Sequence, residues 1–227
     1  MSKFSYLFAL LLFLGACANE TAPQEEAEAA ALPPLEEFEG EWVSLFDGAT
    51  LNGWQANENK ETFSIENGTI KVDGPRSHLF YVGDVGNHNF KNFEFKADVM
   101  TMPKANSGMY FHTEYLDEGW PEKGYEVQVN NTHGDRKKTG GLYAIADVMD
   151  DSPAKDNEWF TQHIIVKDNW VQIRVNGVVT TDYEEPENVL RPEDMRRRKL
   201  SSGTIALQGH DPESVIFYKN VMVKIIE

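Results

Sequence analysis

Polar and apolar side chains alternate along residues 124–130, which read Gly-Tyr-Glu-Val-Gln-Val-Asn. Successive side chains of a β-strand point to opposite faces, so Glu126, Gln128 and Asn130 would share one face. One carboxylate followed by two amides can hydrogen-bond sugar hydroxyls. The alternative is a solvated face without function, although such faces more often carry Lys, Ser and Thr.

A second candidate strand covers residues 107–112, which read Ser-Gly-Met-Tyr-Phe-His. If its Met and Phe face the core, then Tyr110 and His112 face the same groove as Glu126. We therefore take Glu126 and His112 as candidate catalytic residues and Tyr110 as a candidate for binding substrate. A single histidine is equally consistent with a structural residue whose ring nitrogens are hydrogen-bonded inside the protein.

The spacing of carboxylates argues against ordinary two-carboxylate glycoside hydrolysis. That mechanism needs carboxyl groups about 5–5.5 Å apart for retention or about 6.5–9.5 Å apart for inversion. Residues two apart on a strand are separated by about 6.5–7 Å and lie on the same face. The residues that share this face with Glu126 are Gln128 and Asn130, and neither is a carboxylate. A second carboxylate would have to come from elsewhere, such as Glu114 or Asp117.

Other residues could contact a substrate at the edge of the same groove. His133 lies in a loop, residues 132–138, that could bind substrate or could simply be solvated. Gln208 and His210 end a strand and could project into the groove. Trp54, Trp120 and Trp159 could each stack on a sugar ring or could each be core residues. The further substrate-binding candidates are therefore Gln128, Asn130, His133, Trp159, Gln208 and His210.

The charged clusters of the chain indicate no cofactor. Calcium is conceivable in the acidic segment 147–156, but the EF-hand spacing is absent and a solvated loop is the simpler interpretation. The basic run 196–199 is interpreted as a solvated surface. No P-loop, dinucleotide fingerprint, HExxH or GxSxG motif is present, and the single cysteine excludes a cluster of Cys ligands.

Short alternating segments separated by turn residues continue from Trp42 to the end of the chain. Asn67-Gly68 and Asn176-Gly177 each stand between two such segments and predict tight hairpin turns. Only residues 192–199 could form a helix, and that stretch is short. The pattern predicts an all-β protein, a jelly-roll sandwich of two antiparallel sheets.

The N-terminal residues predict export and lipid attachment. Lys3 precedes an apolar run, residues 4–13, that is too short to span a bilayer as a transmembrane helix. Leu-Gly-Ala-Cys at residues 14–17 resembles the lipobox of bacterial lipoproteins, in which the cysteine is lipidated. We expect a signal peptide at 1–16, lipidated Cys17 with a flexible tether at 17–38, and the jelly-roll domain at 39–227. The protein would then be anchored in the bacterial cell envelope, facing the periplasm or the outer surface.

The net charge of the chain bears on its partners. A formal charge of −16 disfavours nucleic acid and is compatible with a neutral glycan or glycoside. Solubility alone is an equally good explanation of this charge.

The ordered motifs of the folded part resemble those of the 3-keto-disaccharide hydrolase domain family, with a concanavalin-like jelly roll. The resemblance covers residues 42–226. Its motifs are Leu45-Phe46-Asp47-Gly48, Asn52-Gly53-Trp54, Asn106-Ser107-Gly108-Met109-Tyr110-Phe111, Gly124-Tyr125-Glu126-Val127-Gln128-Val129, Thr139-Gly140-Gly141-Leu142-Tyr143, Glu158-Trp159, Val175-Asn176-Gly177 and Ile205-Ala206-Leu207-Gln208-Gly209-His210. The chain departs from many members in having Asn131 for Asp and His112 for Arg.

This resemblance implies a secreted hydrolase or lyase of 3-keto-sugar glycosides. Oxidation at carbon 3 makes the carbon 2 proton acidic, so one base can drive elimination of the group on carbon 1, and water adds back later. Glu126 or His112 would be the base, and Gln128, Tyr110 and His210 would hold the carbonyl or enolate oxygen. The alternatives are a non-catalytic carbohydrate-binding lipoprotein and a structural envelope lipoprotein, because the same fold supports all three.

Overall fold

The computed structural model describes Met1 and residues 38–227. The rest of the predicted signal peptide, Cys17 and the tether up to residue 37 lie outside the described residues. Within the described part no helix is long and apolar enough to cross a membrane.

The described chain is built almost wholly from β-strands. The strands are β1 (Trp42–Ser44), β2 (Trp54–Ala56), β3 (Phe63–Glu66), β4 (Thr69–Asp73), β5 (Ser77–Tyr81), β6 (Phe93–Thr101), β7 (Ser107–Thr113), β8 (Tyr125–Val129), β9 (Lys137–Leu142), β10 (Ala146–Met149), β11 (Phe160–Lys167), β12 (Trp170–Val175), β13 (Val178–Glu184), β14 (Thr204–Gly209) and β15 (Val215–Ile225). Three short 3-10 turns cover Lys60–Thr62, Val85–His88 and Glu193–Met195. The last of these is all that forms in the stretch expected to be helical.

The strands form two antiparallel sheets, as the alternation predicts. One sheet runs β13-β12-β11-β6-β15-β4-β3, with β1 paired to β15, and the other runs β10-β9-β8-β7-β14-β5-β2. The first is called the eight-stranded sheet below and the second the seven-stranded sheet. This is the expected jelly-roll sandwich, and the prediction of fold class is confirmed.

The core lies between the facing surfaces of the two sheets. From β8 it receives Tyr125, Val127 and Val129, and from β7 it receives Met109 and Phe111, all of them fully buried. These are the apolar residues that the two alternating segments assigned to the inside. Their burial forces the intervening residues to the outer face of the seven-stranded sheet.

Both predicted hairpin turns are present. Asn67 and Gly68 have φ values of 50° and 77°, and Asn176 and Gly177 have 51° and 80°. Two consecutive residues in this left-handed region favour Asn-Gly, because glycine lacks a Cβ and asparagine tolerates the conformation.

The register of the seven-stranded sheet brings polar residues from four strands to one face. Tyr110 of β7 lies opposite Glu126 of β8, and Gly108 lies opposite Gln128. On the other side of β7, the next strand is β14, whose Gln208 lies opposite His78 of β5. The face of this sheet that points away from the core therefore carries the candidate site.

Candidate active site

A buried carboxylate lies at the centre of the seven-stranded sheet. Glu126 is 6% exposed. The Tyr110 hydroxyl donates to its Oε2 at 2.7 Å, and the Gln208 amide donates to its Oε1 at 3.0 Å. Gln208 Nε2 also lies 2.9 Å from the Tyr110 hydroxyl oxygen. Three neighbouring strands thus fix one carboxylate with neutral donors.

Gly108 leaves the space that this carboxylate occupies. A Cβ built at position 108 would lie 2.4 Å from Glu126 Oε1 and 2.7 Å from its Cγ. Any side chain here would push Glu126 away from its position on the sheet, so the reason for glycine is close approach rather than backbone conformation.

Burial dominates the acid–base properties of this pair. Burial raises the pKa of Glu126, although the Tyr110 and Gln208 hydrogen bonds and the positive charge of Arg198 partly oppose the shift. Burial, and next to it the negative charge of Glu126, raises the pKa of the Tyr110 hydroxyl well above its usual value. Tyr110 therefore stays protonated and acts as a donor.

The carboxylate opens into a cavity of about 210 Å³, here called the Glu126 pocket. Its lining consists of Asn106, Tyr110, Trp120, Glu126, Gln128, Tyr143, Arg198, Gln208 and His210. Glu126 is the one carboxylate among these lining residues. Gln128 donates to Asn106 Oδ1 at 2.6 Å, and its own Oε1 has no partner among the described residues. That oxygen is free to accept a hydrogen bond from a ligand.

His210 brings a second proton-carrying group to the pocket. Its Nδ1 lies 2.6 Å from Asp211 Oδ2, which also accepts a hydrogen bond from Ser214 Oγ at 2.9 Å. Burial alone would raise the pKa of Asp211, but its hydrogen bonds from His210, the Glu213 amide and Ser214 lower it overall. Asp211 is therefore an ionised partner that orients the imidazole.

Aromatic rings extend from this histidine along the pocket edge. The His210 ring centroid lies 5.3 Å from that of Trp120 and 5.8 Å from that of His133. His133 thus lies at the edge of the site, in the loop where it was expected, although it does not line the Glu126 pocket.

Arg198 is a pocket residue that sequence reasoning assigned to a solvated surface. Its guanidinium carbon lies 5.7 Å from the centre of the Tyr110 ring. Arg191 Nε donates to the Arg198 carbonyl at 2.9 Å, and the Leu200 amide donates to Glu185 Oε1 at 2.9 Å. The segment is therefore anchored on both sides of Arg198.

The anchor itself is buried against β8. Arg191 and Glu185 form an ion pair at 3.6 Å, with side chains only 13% and 10% exposed. The Tyr125 hydroxyl donates to Glu185 and accepts from Arg191 Nη2 at 2.8 Å. Because Tyr125 precedes Glu126 on β8, this cluster links the position of Arg198 to the strand that carries Glu126.

His112 does not face the groove, and that expectation is corrected. Its φ of 54° interrupts the strand alternation, next to an irregularity in the pairing of β7 with β14. The ring lies 5.6 Å from that of Phe93, its Nε2 lies 2.9 Å from the Lys91 carbonyl, and its Nδ1 accepts the Ser201 amide at 3.1 Å. Burial lowers its pKa to about 4. His112 is therefore a structural histidine with both ring nitrogens hydrogen-bonded inside the protein, which was the alternative to a catalytic role.

Asn130 is also placed away from the pocket. Strand β8 ends at Val129, so the side chain of the next residue turns into the following loop. Its Nδ2 donates to the carbonyls of Asp135 and Lys137 at 3.0 and 2.7 Å, and its Oδ1 accepts the His133 amide at 2.9 Å. All of these contacts hold the loop rather than a ligand.

Two of the three tryptophans lie outside the site. Trp159 comes directly before β11 of the eight-stranded sheet, where Lys219 Nζ lies 3.9 Å from its ring centre. Trp54 is buried and donates from its indole N–H to the Leu45 carbonyl at 2.6 Å. Trp120 is the one of the three that lines the Glu126 pocket.

The acidic residues considered as partners or metal ligands are engaged elsewhere. Glu114 pairs with Arg197 and with Lys123, and Asp117 is exposed; neither lines the Glu126 pocket. Asp150 pairs with Arg136 at 2.7 Å. Across residues 38–227, no three His, Cys, Asp or Glu side chains are placed to hold a metal ion.

Sequence reasoning missed three lining residues, Asn106, Tyr143 and Arg198. Asn106 directly precedes β7, Tyr143 directly follows β9, and Arg198 lies in the connection between β13 and β14. Alternation gives no direction for a side chain at any of these positions. The only available signal was that Asn106 and Tyr143 stand at the ends of two of the quoted motifs.

Comparisons with known proteins agree with this architecture. A family model described as the 3-keto-alpha-glucoside-1,2-lyase-like domain matches residues 41–224. A curated relative, the 3-keto-disaccharide hydrolase of Bacteroides thetaiotaomicron, is 22% identical over 232 residues, covering 82% of this chain and 79% of the relative.

Two solved structures share the fold. A candidate glycosyl hydrolase from Parabacteroides distasonis superposes with a TM-score of 0.67 at 23% identity, covering 83% of this chain and 94% of that one. The β-glucanase of Bacillus licheniformis has a TM-score of 0.53 at 10% identity, covering 83% of this chain and 98% of that one. The matched region of the family model includes every strand that carries a pocket residue, and the chain belongs to the 3-keto-alpha-glucoside-1,2-lyase-like domain family.

Proposed function

We propose that this protein cleaves glycosides of 3-keto-sugars by base-promoted elimination followed by addition of water, with Glu126 as the base. Family membership and the hydrolase relative support a carbohydrate-active enzyme. The observation that carries the finer proposal is the lining of the Glu126 pocket, in which one carboxylate is surrounded by neutral donors and a cation. This set suits a reaction that needs one base and a stabilised oxyanion.

The reaction begins at carbon 2 of the sugar. Glu126 removes the carbon 2 proton, and the electron pair forms an enolate with the oxygen on carbon 3. When the carbonyl re-forms, carbons 1 and 2 become doubly bonded and the carbon 1 oxygen leaves with the aglycone. Water then adds at carbon 1 while carbon 2 regains a proton, so the net result is hydrolysis.

The environment of Glu126 suits a base. A carbon acid is weak, and a carboxylate with a raised pKa accepts its proton more readily than an ordinary one. The donors Tyr110 and Gln208 hold the carboxylate in one orientation, which removes the need to order it during the reaction.

Arg198 and His210 supply the remaining roles. The guanidinium of Arg198 carries a fixed positive charge at the pocket wall, where it can stabilise the enolate oxygen. His210, which Asp211 orients, donates a proton to the departing oxygen.

The cellular location remains a prediction from the first 17 residues. Lipidation of Cys17 would tether the domain to the cell envelope, where a neutral glycoside substrate could reach it.

The proposal is tested with the domain lacking its first 37 residues. The domain is incubated with a 3-keto glucoside and with its unoxidised parent, and aglycone release is followed. We expect release from the keto form alone, and we expect Glu126→Gln to lower that turnover by about 10³-fold, within the range for loss of a general base.

Glu114→Gln is the matched control, because Glu114 is a carboxylate outside the pocket and should leave turnover unchanged. Undiminished turnover by Glu126→Gln would remove Glu126 from the mechanism. Release from neither glucoside, together with measurable affinity for a glycan, would favour the non-catalytic carbohydrate-binding alternative.

A further inference from the structure

His78 is a buried histidine for which the proposed reaction has no use. It lies on β5, directly opposite Gln208 of β14, and its side chain is 0% exposed. Neither ring nitrogen has a hydrogen-bond partner among the described residues. Burying a polar ring without hydrogen-bond partners destabilises the folded protein. The role of His78 must therefore be sought in ligand binding rather than in stability.

The surroundings of this imidazole are aromatic. Its ring centroid lies 5.3 Å from that of Tyr110 and 5.4 Å from that of Trp120, both in edge-on geometry, and 6.2 Å from that of Phe80. Tyr110 and Trp120 both line the Glu126 pocket. His78 therefore packs against two rings that line the pocket.

Trp120 is the covering ring that meets solvent. It lies in the connection between β7 and β8 and is 42% exposed. The loop is held by Glu58, which accepts the Gly119 amide at 3.2 Å and pairs with Arg76, whose guanidinium carbon lies 5.4 Å from the indole centre. The backbone is thus fixed while one side of the indole remains open.

We propose that His78 and Trp120 form a sugar subsite beside the Glu126 pocket, in which the indole turns off the imidazole to stack on a sugar ring and His78 binds one of its hydroxyls. The ring bound there is the second sugar of a disaccharide substrate. The inference rests on the proposed function in taking the ligand to be a 3-keto glycoside and Glu126 to be the base that consumes it.

The chemistry of His78 matches a hydroxyl. Burial lowers its pKa to about 3, so the ring is neutral at physiological pH. A neutral imidazole offers one N–H donor and one nitrogen acceptor, and a sugar hydroxyl offers the same pair in reverse. The flat apolar face of an indole, with little conformational freedom to lose, suits contact with a sugar ring.

The test measures binding in Glu126→Gln, which does not consume its ligand. Affinities for a 3-keto disaccharide and for 3-keto-glucose are measured by calorimetry with and without His78→Phe, and melting temperatures are recorded. Phenylalanine keeps the aromatic packing and removes both nitrogens. We expect about 10-fold weaker binding of the disaccharide, unchanged binding of the monosaccharide and a higher melting temperature.

His112→Phe is the matched control, because both nitrogens of this equally buried histidine are hydrogen-bonded. It should lower the melting temperature and leave both affinities unchanged. If His78→Phe does not fold, ¹⁵N imidazole spectra of Glu126→Gln replace it, and the His78 nitrogens should shift with the disaccharide but not with the monosaccharide.

Equal disaccharide affinities with and without His78→Phe, or ring nitrogens that do not respond, would overturn the subsite. Binding of neither sugar by Glu126→Gln would overturn it as well. Aglycone release by the unmodified protein decides the proposed function separately. Disaccharide affinity that depends on His78 in a protein without turnover would support the subsite and reject the enzyme.

Discussion

Two buried glutamates, one on each sheet, have pKa values shifted in opposite directions. Glu94 of β6 is 4% exposed and Glu126 of β8 is 6% exposed. His163 Nε2 lies 2.8 Å from Glu94, and the ammonium of Lys224 also contacts it, whereas Tyr110 and Gln208 contact Glu126. Burial raises the pKa of both carboxyls, but the hydrogen bonds from His163 and Lys224 bring the pKa of Glu94 below its usual value, while that of Glu126 stays raised.

The difference shows that the partners of a buried glutamate, and not its burial, decide the direction of its pKa shift. At Glu94 the ammonium of Lys224 offsets the carboxylate charge. Both partners of Glu94 pack against Trp42, whose ring centre lies 5.7 Å from that of His163 and 5.2 Å from Lys224 Nζ. That cluster stabilises the eight-stranded sheet. At Glu126 neutral donors hold the carboxyl in place, and this is the environment that the proposed base requires.

The largest effect is expected from Gly108→Ala, which changes the surroundings of Glu126 and leaves those of Glu94 intact. The added Cβ would occupy the position of the carboxylate, so turnover of a 3-keto glucoside should fall by about 10³-fold, as for loss of the base itself. Steady-state kinetics on folded protein measure this. Gly134→Ala is a control, because a Cβ there meets nothing within 4 Å. Full activity of Gly108→Ala would mean that the carboxylate position is not critical.

The next largest effect concerns the free energy of unfolding. Replacing Glu94 and replacing Glu126 by glutamine should change this free energy in opposite directions. Glu94→Gln breaks a buried ion pair and should lower the free energy of unfolding at pH 7 by about 3 kcal/mol. Glu126→Gln removes a buried charge without a tight cationic partner and should raise it. Urea unfolding at pH 7 and pH 4 measures both.

The pH dependence follows from the direction of each pKa shift. The pKa of Glu94 lies below the ordinary 4.5, so its stabilisation is present above pH 4.5 and is lost as the pH falls through the folded-state pKa. The pKa of Glu126 lies above 4.5, so its cost develops as the pH rises from 4.5 through the folded-state pKa. Both mutational differences should therefore shrink at pH 4. Equal signs at pH 7 would contradict the comparison.

The smallest effect is expected from Arg191→Met. This substitution tests whether the positive charge of Arg198, whose carbonyl Arg191 holds, acts on Glu126. Without its anchor, Arg198 should leave the pocket wall, and kcat/KM should fall by about 10-fold. Because Arg198 lowers the pKa of Glu126, the acidic limb of the kcat/KM profile should also move to higher pH. Arg191→Lys, which keeps a charge but not the planar fork, should be intermediate. An unmoved acidic limb would show that Arg191 acts only on stability.

Much of the fold and part of the site could be predicted from local patterns. Alternation assigned Val127 and Phe111 to the core and Glu126 and Tyr110 to the opposite face, because the side-chain period of a strand is fixed by covalent geometry. Asn-Gly pairs marked two hairpins for a similarly local reason. Alternation gave the wrong direction for two side chains. His112 has a left-handed backbone conformation that interrupts the alternation of β7, and Asn130 lies one residue beyond the end of β8.

The sequence by itself determined the sandwich class, the strand that carries Glu126 and the motifs that resemble its family. Only the tertiary structure decided which distant residues meet that carboxylate. Gln208 approaches it through the order of strands in the sheet, and Arg198 through a loop anchored by Arg191. The same sheet places His78 against the Tyr110 ring. The alternation of one strand reports only the two faces of that strand, whereas a pocket depends on which strands are neighbours and on where the loops between them are held.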